Sequence, residues 1–330
     1  MIEKYLNNRF LVLYLLPFLI GCLATLTFQP YNFTFINFVI LPALFALTAH
    51  INKKSKAIYR SRPYKKNLFI FGLLFGFGFY LSGISWITNS LTFDPNFKFL
   101  IPFTVIFIPL FLSLFIALTI LCIGPYVKFD LPSLIIFSGG LAFSDYLRGK
   151  LLTGFPWNLW AYSTSNISEF LQILNLTGLY AYNLLLITVF VLPIIFFFKK
   201  SAGKKLIYLS FFLLTILSLY IYGNYEINKN KKLLSQIEEK IFVKIISPNF
   251  DLKYNLSEKE IEDRFNRLVR YSSPNKNKKT IFIWPEGVFS GYSYEEILIF
   301  RDIVADNFSD KHLIIFGTNK LDLVSGSFYN

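Results

Sequence analysis

The sequence predicts a polytopic α-helical membrane domain, with about seven transmembrane helices, followed by an α/β extramembrane domain. Three observations predict it. Hydrophobic residues fill 54% of the 330 positions and aromatic residues 19%, with a mean hydropathy of +0.49. A soluble domain of this length has no core able to hide that much apolar side chain, whereas side chains facing lipid need no core. The apolar residues also come in runs long enough to cross a bilayer. After Tyr222 those runs stop, and short apolar strands alternate with amphipathic helical patterns.

Crossing a hydrocarbon core of about 30 Å takes about 20 residues of helix. Such stretches run over Phe10–Phe28, Phe33–Ala49, Leu68–Leu91, Phe99–Ile123, Leu131–Leu147, Leu174–Phe198 and Leu206–Tyr222. The second is short, and Ser138, Gly139, Gly140 and Asp145 interrupt the fifth. Lys4 and Arg9 precede the first as they would in a signal peptide. That stretch is long, however, and Phe28-Gln29-Pro30 offers no small-x-small cleavage pattern, so it reads as an uncleaved span. Gly72, Gly76, Gly78 and Gly83 in the third read as helix-packing positions. The spans hold almost none of the mid-bilayer charges that a transporter needs.

Lys and Arg set the orientation. One set of loops carries Lys4 and Arg9, a cluster from Lys53 to Lys66, Lys128, then Lys199, Lys200, Lys204 and Lys205; the other carries Lys98, Arg148 and Lys150. The asymmetry places the N-terminus in the cytoplasm, and seven spans then place the C-terminal part outside. The net charge of +13 is thus mostly a topology signal plus a solvated tail, and nucleic-acid binding is a poor reading of it.

Residues 1–222 therefore read as the transmembrane domain. Gly223–Lys240 is polar and reads as a helical linker, and 241–330 reads as the α/β part. There Ile241–Ser247 is a strand, and Ser257–Tyr271 a helix with Ser257 as N-cap and Glu260 at the capping-box position. Thr280–Trp284 is a second strand, Ser293–Phe308 a second helix and His312–Phe316 a third strand.

Two segments could carry chemistry. Ile281-Phe282-Ile283-Trp284-Pro285-Glu286 ends an apolar strand at a proline, which cannot extend a ladder. It presents a carboxylate at the strand's C-terminal end, the edge where α/β sheets collect ligands and catalytic groups. Glu286 there suits a general base, and the same position suits an ordinary solvated glutamate. The second segment is the loop after the fifth span, with Arg148, Lys150, Phe155, Trp157, Trp160 and Tyr162. Indole and guanidinium groups at a membrane boundary suit lipid head groups; an ordinary aromatic belt has the same composition. Cys22 and Cys122 fall within the first and fourth spans and read as small buried hydrophobes. His50 and His312 are isolated, no metal-ligand spacing exists, and no Gly-rich phosphate loop occurs, so neither metal nor cofactor is expected.

These motifs, in order, resemble those of bacterial apolipoprotein N-acyltransferase. They are Leu147-Arg148-Gly149, Thr153-Gly154-Phe155-Pro156-Trp157, Tyr162-Ser163, Ser247-Pro248-Asn249, Lys253-Tyr254, Trp284-Pro285-Glu286, Gly317 and Tyr329-Asn330. The resemblance runs through the whole chain; Tyr254 stands where the family usually has Trp. It implies that 241–330 is the N-terminal part of an αββα, nitrilase-like (carbon–nitrogen-hydrolase) domain using a Glu-Lys-Cys triad, with Glu286 as the general base. Arg148, Phe155, Trp157, Tyr162, Tyr254 and Trp284 are then the candidate substrate- and lipid-binding residues. The implied partners are a phospholipid acyl donor and a diacylated apolipoprotein acceptor. The implied location is the bacterial inner membrane, with the C-terminal domain periplasmic. The triad Lys and Cys of the family lie beyond Tyr329-Asn330, so the chain looks C-terminally truncated and is expected to be catalytically incomplete alone. A downstream fragment carrying the rest would complete it; the alternative is a non-catalytic membrane remnant that binds lipid or lipoprotein.

Overall fold

The computed structural model describes residues 8–58, 63–152, 154–198, 201–237, 241–251, 253, 256–321 and 328–329. Thr153, Tyr254 and Asn330 of the motifs lie outside these residues, as do Lys4, Arg60, Arg62, Lys199 and Lys200 of the topology argument. The chain forms two compact units, Met1–Lys231 and Lys232–Asn330.

The first unit is helical. A π-helical turn, Leu11–Leu15, leads into α1 (Leu16–Ala24), followed by α2 (Asn37–Ile58), α3 (Pro63–Ile84), α4 (Ile101–Ile123) and α5 (Leu131–Arg148). Then come the single turn α6 (Ser168–Leu171), α7 (Leu174–Val191) and the long α8 (Ala202–Ser235). Proline opens several of these helices, in the first turn where its missing N–H has no helical partner to lose. Asp130 caps α5, its carboxylate accepting from the Ser133 N–H at 3.0 Å. Among the described residues, five stretches are long and apolar enough to cross a membrane: Thr34–Lys53, Tyr64–Thr92, Pro95–Tyr126, Leu174–Phe197 and Ala202–Ser235. This is a multi-pass membrane protein. The other two expected spans fall on the shorter apolar helix Leu11–Thr27 and on α5, where Ser133, Ser138, Ser144, Asp145 and Arg148 dilute the apolar character.

Glycines let α3 pack closely on two sides. Gly72 and Gly76 face Ala117 and Ser113 of α4, a small-x-x-x-small pair on each helix, and a Cβ added at Gly76 would lie 2.9 Å from Ser113 Cα. On the other side Gly21 of α1 lies on the Phe75 carbonyl, and Gly78 on the Phe18 carbonyl. Lipid is as apolar as Leu, so helices in a bilayer associate through close van der Waals approach of this kind. Gly83, expected at a helix contact, instead makes room for the Asn158 amide of the loop after α5.

The second unit is a parallel sheet in the order β1 (Phe242–Ile245), β2 (Thr280–Ile283), β3 (His312–Ile315), with Val243, Ile281 and Leu313 in register. α9 (Glu258–Ser272) connects the first pair. The second connection is α10 (Tyr294–Ile297), a 3₁₀ turn at Leu298–Phe300, and α11 (Arg301–Asn307). The expected single helix over 293–308 is thus broken; the tighter turn aligns Ile297 and Phe300, both against the core. A short antiparallel pair, β4 (Lys320–Leu321) and β5 (Phe328–Tyr329), follows. Ile261, Phe265 and Leu268 of α9 cover one face of the sheet, over Ile246, Phe282 and Trp284. On the other face Val243, Leu313, Ile315 and, at 77%, Ile245 are exposed.

Ser257 and Glu260 form the expected capping box at the start of α9, and Lys253 pairs with Glu260. The Lys253 ammonium and the Ser257 N–H hold the Glu260 carboxyl down at about 2. Because the folded value lies below the unfolded one, this stabilisation is complete above about pH 4.5 and is lost as the pH falls toward 2. Glu260→Gln should therefore be less stable than the parent at neutral pH and converge on it below pH 2, as followed by circular dichroism during acid titration.

Candidate functional site

In the first unit the loop after α5 is built on Arg148. Its side chain is 1% exposed. Nη1 donates to the carbonyls of Phe155 and Trp157, each at 2.6 Å, and Nη2 donates to Asp145 Oδ1 at 3.0 Å. The other Asp145 oxygen accepts from Asn183 Nδ2 of α7 at 2.9 Å, and Asn183 Oδ1 accepts from the Ala161 N–H at 2.9 Å. The guanidinium lies 5.3 Å from the Tyr80 ring of α3. A buried charge persists only when paired and hydrogen-bonded, and here Arg148 takes its further partners from the loop backbone while Asp145 takes its own from the Asn183 amide. Gly154, at φ +74°, turns the loop back so that the Phe155 N–H reaches the Arg148 carbonyl at 2.8 Å.

This frame leaves Lys150, Leu151, Leu152 and Trp157 exposed, Trp157 being the one aromatic among them. Trp157 is 50% exposed and meets Trp86 edge to face, ring centroids 5.3 Å apart. Phe155 and Tyr162 are half-buried, while Trp160 is buried and stacks on Phe79 at 5.4 Å. The candidate lipid-binding residues therefore divide. Trp157 faces out, Phe155 lies against it with ring centroids 6.5 Å apart, Tyr162 is half-buried, and Arg148 is turned inward, where it holds the loop and does not face head groups. Trp86 was not among the sequence candidates; its one signal was an indole at the end of an apolar stretch.

In the second unit Glu286 sits at the C-terminal edge of the parallel sheet. The Trp284 N–H continues the ladder one residue beyond β2, donating to Ile315 O at 2.9 Å, and Pro285 stops it. Glu286 is exposed, and Gly287, at φ +73°, turns the chain away. The Glu286 side chain lies over Gly317 at the end of β3, where an added Cβ would be 2.9 Å from Glu286 Cγ. Only glycine leaves the carboxylate in that place. Glu286 separates two clefts. One, of about 650 Å³, is lined by Ser247–Asp251 and Arg264; the other, of about 610 Å³, by Ser290, Tyr292 and Gly317–Asn319.

Two arginines of α9 hold the walls of the first cleft. Arg264 donates to Val288 O at 2.7 Å and to Asp251 O at 2.8 Å, joining the loops that follow β2 and β1. Arg267 donates to Pro248 O at 2.9 Å, and the two guanidinium groups lie 4.8 and 5.2 Å from the Phe250 ring. Sequence reasoning missed both; an i, i+3 pair on an amphipathic helix was the available signal. Trp284 is 2% exposed, with Nε1 donating to Ser272 Oγ at 3.0 Å, so it props the Glu286 turn from within the core. Tyr254 lies outside the described residues. The arrangement presents a carboxyl group to two clefts, where a general base would reach a group delivered to either. The chain's two cysteines, Cys22 and Cys122, belong to α1 and α4 of the first unit.

Comparison with known proteins fits this division. The family described as the apolipoprotein N-acyltransferase N-terminal domain matches residues 20–192, which cover α1 to α7 and the Arg148 loop. Among curated relatives, a protein of Rhodopseudomonas palustris named apolipoprotein N-acyltransferase is 24% identical over 281 residues, covering 82% of this chain and 51% of the relative. Proteins of the same name from Brucella melitensis and Rickettsia typhi are each 27% identical, over 282 and 275 residues, with the same shares covered. The chain spans about half the length of the curated relatives it matches. With the matched segment extending over more than half of its residues, the chain belongs to the apolipoprotein N-acyltransferase family.

Proposed function

We propose that this chain serves phospholipid-dependent N-acylation of the N-terminal diacylglyceryl-cysteine of bacterial lipoproteins, with Glu286 as the general base. The observation that carries the reading is the exposed Glu286 carboxylate, set between two clefts at the C-terminal edge of a parallel sheet. In this scheme Glu286 takes the proton of a cysteine thiol. The thiolate attacks the ester of a phospholipid, a thioester forms and a lysophospholipid leaves. The lipoprotein α-amine then displaces the thiolate to give the amide, and a lysine stabilises the oxyanion in both steps. Cys22 and Cys122 belong to the first unit, and in this proposal the thiol and the lysine are those that the family resemblance implies, carried by a further polypeptide segment.

Trp157, with Phe155 against it, and Tyr162 form the lipid-binding surface; Arg148 positions that surface, Trp284 supports the Glu286 turn from within the core, and Tyr254 is assigned to substrate binding. The αββα reading is supported by the open face of β1–β3, the face a second sheet would cover. Seven crossings of the inner membrane, with a cytoplasmic N-terminus and a periplasmic second unit, complete the proposal.

The test is acyl transfer in phospholipid micelles to a diacylated lipopeptide, read by mass spectrometry. The chain alone should give no product. Mixed with a separately expressed C-terminal half of a relative, it should add one acyl chain, and Glu286→Ala should lower that rate by about 10²–10⁴-fold. Transfer by the chain alone, unaffected by Glu286→Ala, would overturn the assignment. No transfer under either condition would favour a non-catalytic lipid- or lipoprotein-binding role.

A further inference from the structure

A groove runs under α8 in the first unit. The helix is fastened at two points: Lys205 Nζ donates to Phe196 O at 2.7 Å, and Gly223 rests on the Glu169 carbonyl. Between those points α8 is thinly covered, with 11% of its apolar window buried and Phe212 packed edge to face on Phe38. The space left beneath it is about 350 Å³. Ile216 and Leu219 of α8 roof it, and Phe38, Val189 and Phe190 form its inner wall. Its mouth, level with the loops that precede α2 and α6, is polar: Asn32 and Asn166 line it, and among the described residues no charged one does. The Asn32 Oδ1 atom is sheltered from solvent and accepts no hydrogen bond among the described residues.

We infer that this groove is a binding site for one intact phospholipid, with an acyl chain beneath α8 and a hydrogen-bond-donating, zwitterionic head group at Asn32. Three features select this occupant. A cavity within about 300–1,000 Å³ suits one small ligand, and an apolar body with a few polar groups at one end matches an acyl chain and its head group. α8 is apolar enough to cross a membrane and is barely covered by protein, so lipid is what surrounds the slot. Lys and Arg, the residues that bind anionic head groups, do not line the mouth, whereas an ammonium with N–H groups satisfies an orphan carbonyl acceptor. This lipid fills a gap in the bundle. It is separate from the acyl donor of the proposed reaction, and the inference stands whether or not that reaction is correct.

The test is native mass spectrometry of the full chain, purified in detergent and supplied with phosphatidylethanolamine or phosphatidylcholine. One ethanolamine lipid should remain per chain under washing that strips loosely bound lipid. Ile216→Trp and Val189→Trp should each lower its occupancy at least tenfold. Leu214→Trp, the same increase in size on the exposed face of α8, should leave it unchanged. Asn32→Leu should abolish the preference for ethanolamine over choline, because choline carries no N–H. Ile216 is only half-buried, so its variant decides the question if Val189→Trp fails to fold. Equal retention in folded Ile216→Trp would overturn the inference, as would a chain that keeps no lipid, or a lipid-free dimer showing that a second copy fills the groove.

Discussion

Arg148→Met should destabilise the membrane unit by about 3–5 kcal/mol, the cost of removing one partner of a buried ion pair. The substitution keeps most of the aliphatic volume and deletes the donors that hold Asp145 and two loop carbonyls. Asp145 would then be a buried carboxylate with only Asn183 beside it, and the Phe155 and Trp157 carbonyls would each lose a short hydrogen bond. Arg148→Lys should recover less than half of the loss, because one ammonium cannot reproduce a planar fork that spans three acceptors. Asp145→Asn combined with Arg148→Met should cost less than the sum of the two single changes, since the double variant leaves no unpaired charge. Reversible unfolding in mixed micelles measures the parent and the four variants, the Asp145→Asn single change included. A parent-like Arg148→Met would mean that the loop is held by something other than this network.

Gly78→Leu should be nearly as damaging, at about 3 kcal/mol, the upper end of overpacking costs. The added Cβ lands on the Phe18 carbonyl, which is backbone and cannot rotate aside as a side chain would. α1 and α3 must part, and Gly21, which meets Phe75 across the same crossing, loses its contact too. Gly139→Leu is the matched control, because nothing lies within 4 Å of the position its Cβ would take. The same unfolding measurement should separate Gly78→Leu from Gly139→Leu by at least 2 kcal/mol, and equal effects would remove the glycine crossing as a source of stability.

The membrane character of the first unit was legible because hydropathy over about 20 residues is a local signal. The capping box at Ser257 and Glu260 and the strand before Pro285 were legible for the same reason: each is set by residues within four positions of one another. The Arg148 network was not, because the Asn183 partner lies 38 residues from Asp145 along the chain, and no local pattern tells a boundary arginine from a buried one. Trp86 and Trp157 meet across an even longer separation. Glu286 was found from its place after a strand, whereas Arg264 and Arg267 shape its surroundings through backbone carbonyls 13 to 24 residues away, which no local pattern marks. Gly83 was misplaced because a glycine that admits a loop amide looks, in sequence, like one that admits a helix.

The open face of β1–β3 bears on the lifetime of the chain in a cell. Exposed Val243, Ile245, Leu313 and Ile315 on short strands form the kind of surface that holdase chaperones bind and quality-control proteases sample. Steady-state abundance should then follow whether that face is covered, independently of how much protein is synthesised. A polypeptide that packs on it would act as a stabiliser of the whole membrane protein, and its loss would register first as depletion of this chain from the membrane.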